Sequence, residues 1–298
     1  MNFNRFDYEK MIKCIVKLQK KHRFTEVYSA GKSAEGRELL CIKFGRGDKK
    51  LFLNGAHHAL EWITASLLMA FSFEFLNAVE NGKCIFGYDA LMLYENVTFY
   101  VMPMVNPDGV NVVLKGLDDK NEYHMLIKEM LCGKNAKKVW QANIHGVDLN
   151  HNYDASFYEG KKMEAENGVY GAGPTRFSGE MPFSEPETIA VRDLFCKEMF
   201  NMSLAFHSQG EVIYWNYQNK SKYFDIAKRL LSASGYKLDE TDGISSVSGF
   251  KDWVIEKYEL PAFTIEVGKG VNPISFSQFG KIKRDSLKLI LEAASILH

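Results

Sequence analysis

Short apolar runs with the character of strands alternate along this chain with segments whose apolar positions recur at helical spacing, and that order restricts it to an α/β architecture. Strand-like runs fall at 37–44, 50–54, 96–103, 202–207, 211–216 and 261–267, and helices are predicted at 6–22, 61–80, from 186 to about 199, and at 221–235, 249–258 and 277–297. The first helix carries Met11, Ile12, Ile15, Val16 and Leu18 among lysines, as an amphipathic helix does. Ser184-Glu185-Pro186-Glu187-Thr188 offers an N-cap, an acidic first turn and an early proline. After the strand at 96–103 the chain is polar, with glycine and lysine, through about 140, and 151–183 reads as a long irregular stretch. No repeat, low-complexity tract or linker divides the chain, and 46% hydrophobic residues suffice for one large core, so a single domain over 1–298 is expected.

The 37 basic and 37 acidic side chains cancel, and neither sign is gathered into a stripe or tail. Without that long-range field, nucleic acid and anionic membrane are not expected partners, and a small or locally recognised molecule is. Met1-Asn2-Phe3-Asn4-Arg5-Phe6-Asp7 has no apolar signal segment, so a cytoplasmic location is expected. The longest apolar stretch, Trp62 to Val79, is interrupted by Thr64, Ser66, Ser72, Glu74 and Asn77 and reads as a buried helix. The five cysteines are scattered, odd in number and without a CxxC pair, so reduced core residues are expected.

Four segments carry residues suited to metal or acid–base chemistry. Asn54-Gly55-Ala56-His57-His58-Ala59-Leu60-Glu61-Trp62 passes from strand to helix and sets an imidazole and a carboxylate three residues apart, where both can reach one ion. Taken alone, the pair is as readily a helix-start glutamate beside an incidental histidine. The HExxH arrangement is absent, so a third ligand must come from far away. Gly146 to Asn152, His207 in Phe206-His207-Ser208-Gln209-Gly210-Glu211, and Glu266 in Phe263-Thr264-Ile265-Glu266-Val267-Gly268 lie in or after predicted strands, where such sheets present functional groups. A carboxylate in so apolar a strand costs several kcal/mol unless paired or used. Individually, Glu266 also fits a buried structural ion pair and His207 a satisfied core histidine.

In order, these motifs resemble the zinc carboxypeptidase family, the carboxypeptidase A-like peptidases, over nearly the whole chain. His58 to Trp62 resembles the HxxE zinc motif, Pro103-Met104-Val105-Asn106-Pro107-Asp108-Gly109 the PxxNPDG turn, and Gly146 to Asn152 the GVDxNRN segment. His207-Ser208 resembles the third-ligand strand and Glu266 the catalytic glutamate; Gly31 to Arg37 resembles the family's lead-in to its early strands. The resemblance implies a central mixed, largely parallel twisted sheet flanked by helices, and Zn2+ held by His58, Glu61 and His207. It implies Asp148 as hydrogen-bond partner of the first ligand histidine, and Glu266 as the group that takes a proton from water acidified by zinc. His57 matches no ligand position.

Departures from the family bear on substrate. His151 stands where an arginine grips the substrate's terminal carboxylate, and the capping tyrosine's position falls near Ile244. The oxyanion-stabilising arginine, two residues before a tryptophan, corresponds to Lys138 before Trp140. The run His207 to Trp215, with Gly249-Phe250-Lys251-Asp252-Trp253 and Asn150-His151-Asn152, resembles the bacterial gamma-D-glutamyl-L-diamino acid endopeptidases of this family. That resemblance implies a peptide or muropeptide substrate; a monomer is expected, and Asn150, His151, Ser208 and, because such a substrate carries carboxylates, Arg176 are candidate substrate contacts, Arg176 being equally readable as an exposed loop arginine. Release of C-terminal residues from ordinary peptides, deacylation of small N-acyl amino acids, and a catalytically silent zinc or peptidoglycan sensor are the competing readings.

Overall fold

The computed structural model describes residues 2–298. Its strands are β1 (Glu26–Lys32), β2 (Glu38–Phe44), β3 (Lys49–Gly55), β4 (Cys84–Ile85), β5 (Tyr88–Asp89), β6 (Val97–Met102), β7 (Met202–His207), β8 (Val212–Tyr214), β9 (Lys237–Asp239) and β10 (Ala262–Glu266). β4 and β5 form a small separate hairpin, and the other eight make one sheet in the order β1-β2-β6-β3-β7-β10-β8-β9. β6, β3, β7 and β10 run parallel at its centre. β1 and β2 extend one side antiparallel, while β8 pairs antiparallel with β10 and parallel with β9. The mixed sheet with a parallel centre is therefore the expected class.

The central strands are buried on both faces, and their side chains alternate between two cores. Leu51, Leu53, Phe99, Val101, Leu204, Phe206, Phe263 and Ile265 enter the larger core with the helices Ile63–Glu80 and Phe279–Leu297. Phe52, Tyr100, Ala205 and Ala262 enter the other, against Pro186–Glu198 and Phe250–Tyr258. The helix Ile63–Glu80 is long and apolar enough to cross a membrane, yet it is buried almost throughout. Its polar interruptions are satisfied locally: Thr64 bonds Glu61 O and the Ala56 N–H, and Ser72 bonds Leu68 O.

Several expectations needed correction. The region before 140 contains the helices Pro107–Lys115, Glu122–Leu131 and Ala136–Val139. The first is short and begins in a Pro-Asp-Gly sequence that reads as a turn; the Asn106 side chain caps it by accepting from Gly109 N at 3.0 Å. The stretch at 151–183 holds the helix Phe157–Glu166, which carries little apolar periodicity. The helix Pro186–Glu198 is preceded at its N-cap by Glu185, which makes no side-chain cap, because its carboxylate is engaged by Asn143, His145 and Ser184. β1 went unpredicted because it has no buried apolar face. All five cysteines are unbridged, but Cys84, Cys132 and Cys196 are exposed; only Cys41 is fully buried. Cys84 lies in the outlying hairpin and Cys132 caps a surface helix, so neither faces a core.

Candidate active site

The register of the central strands decides what comes together. β7 and β10 end side by side with His207 opposite Glu266, while Gly55 at the end of β3 pairs with Phe206. By alternation His207 shares the face of Ala205, and Glu266 that of Ala262 and Thr264. His58 follows β3 as the N-cap of a one-turn helix, Ala59–Glu61, which ends on Glu61. Asn106 pins this turn: its amide donates to His57 O at 3.0 Å and Ala142 O at 3.1 Å. Gly109 permits that contact, since a Cβ there would sit 2.5 Å from Ala142 O and 2.7 Å from Asn106 Oδ1. Asp108 accepts from Ser33 and Glu35 N and pairs with Arg37, so the early Gly31 to Arg37 segment and the PxxNPDG turn brace each other.

Nδ1 of His58 lies 2.9 Å from Glu61 Oε1 and 3.3 Å from Nδ1 of His207, which lies 3.1 Å from Glu61 Oε2. Three groups with lone pairs thus face one point, the one such trio among the described residues. Ligand atoms about 2.0–2.1 Å from a tetrahedral zinc lie about 3.3 Å apart, so an ion of that size fits the triangle. Glu61 Oε2 is buried and, apart from its 3.1 Å approach to His207 Nδ1, has no partner, as expected of an oxygen reserved for a cation.

The surroundings favour positive charge at that point. Burial opposes a charged His58, but the adjacent Glu61 and Asp148 carboxylates hold its pKa well above the ordinary imidazole value. Burial likewise pushes Glu61 up, yet His58 and His207 outweigh it and hold that carboxyl at about 2. Asp148 stays below the usual carboxylate range against burial because His58 and His151 oppose it. Its Oδ1 lies 3.1 Å from His58 Nε2, and its Oδ2 accepts from Arg176 N at 3.0 Å. His57 remains outside the trio: burial lowers its pKa, its ring stacks on His207, and its Nε2 meets the Tyr153 hydroxyl at 2.9 Å.

Glu266 is set differently. Burial, and then the nearby Glu61 charge, raise its pKa well above the ordinary carboxyl value, and its carboxyl has no hydrogen-bond partner among the described residues. Two cavities meet at it. One, of about 360 Å³, is lined by Asn150, His151 and Thr264 together with His58 and Glu266. The other, of about 380 Å³, is lined by Glu61, Lys138, Gln141, Ser208 and Asn272 with Glu266. A half-buried, unpaired carboxyl beside a cation site, with room on either side, is equipped to exchange a proton with a substrate.

Of the substrate contacts anticipated, Asn150, His151 and Ser208 line these cavities, as does Lys138, the expected oxyanion-stabilising residue. Arg176 has an exposed side chain that lines neither, and it serves the site through its main-chain N–H on Asp148. Ile244 is buried in the one-turn helix Gly243–Ser246 and brings no polar group. Sequence reasoning missed Asn272, Gln141 and Tyr214, the last lining both cavities. Asn272 is the one a sequence signal could have marked, because it lies in the loop that leaves the C-terminal end of β10, where α/β sheets place their sites.

Comparison with known proteins agrees with this geometry. The profile of the family described as zinc carboxypeptidase matches residues 11–287. The "Gamma-D-glutamyl-L-diamino acid endopeptidase 1" of Lysinibacillus sphaericus is 35% identical over 292 residues, covering 96% of this chain and 71% of that protein. An uncharacterized protein of Bacillus subtilis (strain 168), YqgT, is 32% identical over 278 residues, covering 92% of this chain and 72% of its own length. Among solved structures, thrombin activatable fibrinolysis inhibitor superposes with a TM-score of 0.75 at 18% identity, over 98% of this chain and 74% of that one.

Proposed function

From the premise that this chain belongs to the zinc carboxypeptidase family, and so is a zinc metallopeptidase, we propose that it hydrolyses the amide between a gamma-D-glutamyl carboxyl and a diamino acid in peptidoglycan stem peptides. The observation that carries the chemistry is the triangle of His58 Nδ1, Glu61 and His207 Nδ1, with sides of 2.9, 3.1 and 3.3 Å, beside the partnerless carboxyl of Glu266. The relative of 35% identity over 96% of the chain supports the choice of substrate.

His58, Glu61 and His207 hold the metal. When bound, zinc supplies Lewis-acid polarisation of the scissile carbonyl and acidifies water. Asp148 accepts from His58 Nε2, which fixes the tautomer that leaves Nδ1 free to ligate. Glu266 takes a proton from the attacking water and returns it to the leaving amine, a role open to it because its carboxyl is engaged by no other group among the described residues. Lys138, exposed at the mouth of the second cavity, offers positive charge to the developing oxyanion. Asn150, His151 and Ser208 contact the substrate from the cavity walls.

The test is hydrolysis of a gamma-D-glutamyl-diamino acid peptide, followed by mass spectrometry of the products beside a chelator control and an ordinary peptide of similar length. Chelator-sensitive cleavage of the gamma bond is expected. Release of C-terminal residues from the ordinary peptide, with the gamma bond left intact, would replace this reading by that of a standard carboxypeptidase.

A further inference from the structure

We propose that His57 is a positioning residue for the metal centre: its ring, held by the Tyr153 hydroxyl, fixes the plane of the His207 imidazole and so the aim of Nδ1 at the ion. The inference rests on the assignment of His58, Glu61 and His207 as ligands made above.

The two ligand histidines are supported unequally. An imidazole's lone pair lies in the plane of its ring, and the torsion that turns that plane is intrinsically broad. A ligating histidine is therefore ordinarily held by a hydrogen bond at its other nitrogen. His58 has one, since its Nε2 lies 3.1 Å from Asp148 Oδ1. His207 does not: its Nε2 is buried with no partner among the described residues. What lies flat against its ring instead is His57, with centroids 5.5 Å apart and planes inclined by 22°. Turning the His207 ring about its bond to the chain would drive its edge into that face, which a close-packed interior resists. His58 meets the same ring edge-on at 4.9 Å, but as a fellow ligand it is no independent support.

His57 is itself fixed. It is fully buried with its Nε2 2.9 Å from the Tyr153 hydroxyl, and that hydroxyl has no other partner among the described residues. Tyr153 is fully buried too, its ring set among Phe183, Phe250 and Trp253, and its main-chain N–H donates to Ser248 O at 3.0 Å. Packing alone does not account for an imidazole at position 57. A phenyl ring would fill the space without burying a nitrogen, Nδ1, that has no partner. What the imidazole adds is the bond to Tyr153, which sets its rotation. One chain segment then serves both ligand histidines: Asp148 orients His58 directly, and Tyr153 orients His207 through His57.

The experiment measures zinc affinity, by competition with a chromophoric chelator, for the unaltered protein, His57→Leu, Tyr153→Phe and the double variant. Visible absorption of the Co2+-substituted proteins reports ligand geometry, and urea unfolding of the metal-free proteins reports packing. His57→Leu is expected to weaken zinc binding about 10–100-fold, as for other groups that orient a ligand. Tyr153→Phe removes one oxygen and keeps the packing; a loss of about threefold or more, with a shifted Co2+ absorption, is expected. In the His57→Leu background Tyr153→Phe is expected to cost no further affinity, because the hydroxyl acts only through the His57 ring.

Reduced metal-free stability with zinc affinity and Co2+ absorption unchanged is what a packing role would give, and it overturns the proposal. Additive losses of affinity in the double variant overturn it as well. Should His57→Leu fail to fold, Tyr153→Phe alone decides. His207→Ala controls for the ligand assignment: if it binds zinc as tightly as the unaltered protein, that assignment fails. A weakened His207→Ala beside unchanged His57 and Tyr153 variants removes only the present inference.

Discussion

The amide nitrogen of Asn272 lies 3.2 Å from Glu61 Oε1 and 2.5 Å from the carbonyl oxygen of Ser208, while the Ser208 hydroxyl donates to Asn272 Oδ1 at 2.8 Å. Both ends of one carboxamide are therefore assigned, and the loop after β10 holds the Glu61 carboxylate against the chain that carries His207. Asn272→Ala is expected to weaken zinc binding by about 10–100-fold, the range for partners that orient a metal's ligands. Competition with a chromophoric chelator measures this, and an unchanged affinity would reduce Asn272 to a loop contact.

Glu266→Gln keeps the shape of the side chain and removes its ability to take a proton. A loss of about 10²–10⁴-fold in kcat is expected, with zinc content unchanged. Turnover near that of the unaltered protein would remove Glu266 from the reaction.

Glu187 gives a pH signature away from the metal site. It is fully buried, accepts from Ala34 N and the Asn143 amide, and burial, with Asp108 adding to it, raises its pKa to about 7. The folded value exceeds the unfolded one, so its contribution to stability is complete below about pH 4.5 and is lost as pH rises through about 7. Between pH 5 and 8 the unaltered protein is expected to lose about 1–3 kcal/mol more stability than Glu187→Gln. Urea unfolding of both proteins at saturating zinc measures the difference, and parallel pH profiles would show that Glu187 ionises normally.

Gly109→Ala tests the brace beneath the ligand turn. The new methyl would meet Ala142 O and the Asn106 amide, whose bond to His57 O anchors the segment that carries His58. A loss of about 1–3 kcal/mol in urea unfolding is expected, as for other overpacked sites. Full stability would mean that the helix Pro107–Lys115 can shift without strain.

The sequence alone carried the α/β order, for a physical reason, and the metal trio, through a resemblance of motifs. Apolar runs such as Leu51-Phe52-Leu53 announce buried strands because a central strand must be apolar on both faces. His58, Glu61, His207 and Glu266 were each open to an ordinary structural reading, and it was the resemblance of their ordered motifs to the zinc carboxypeptidase family that marked them together. The helix Phe157–Glu166 was not legible, since its apolar face is too sparse to give a period. Asn272 and Gln141 are ordinary polar residues whose meaning lies in what they face. Chain order determined which residues end the strands. Only the parallel register of β3, β7 and β10 decided that those ends meet, because two successive strand pairings bring together residues more than 200 apart in sequence and local chemistry carries no record of that distance.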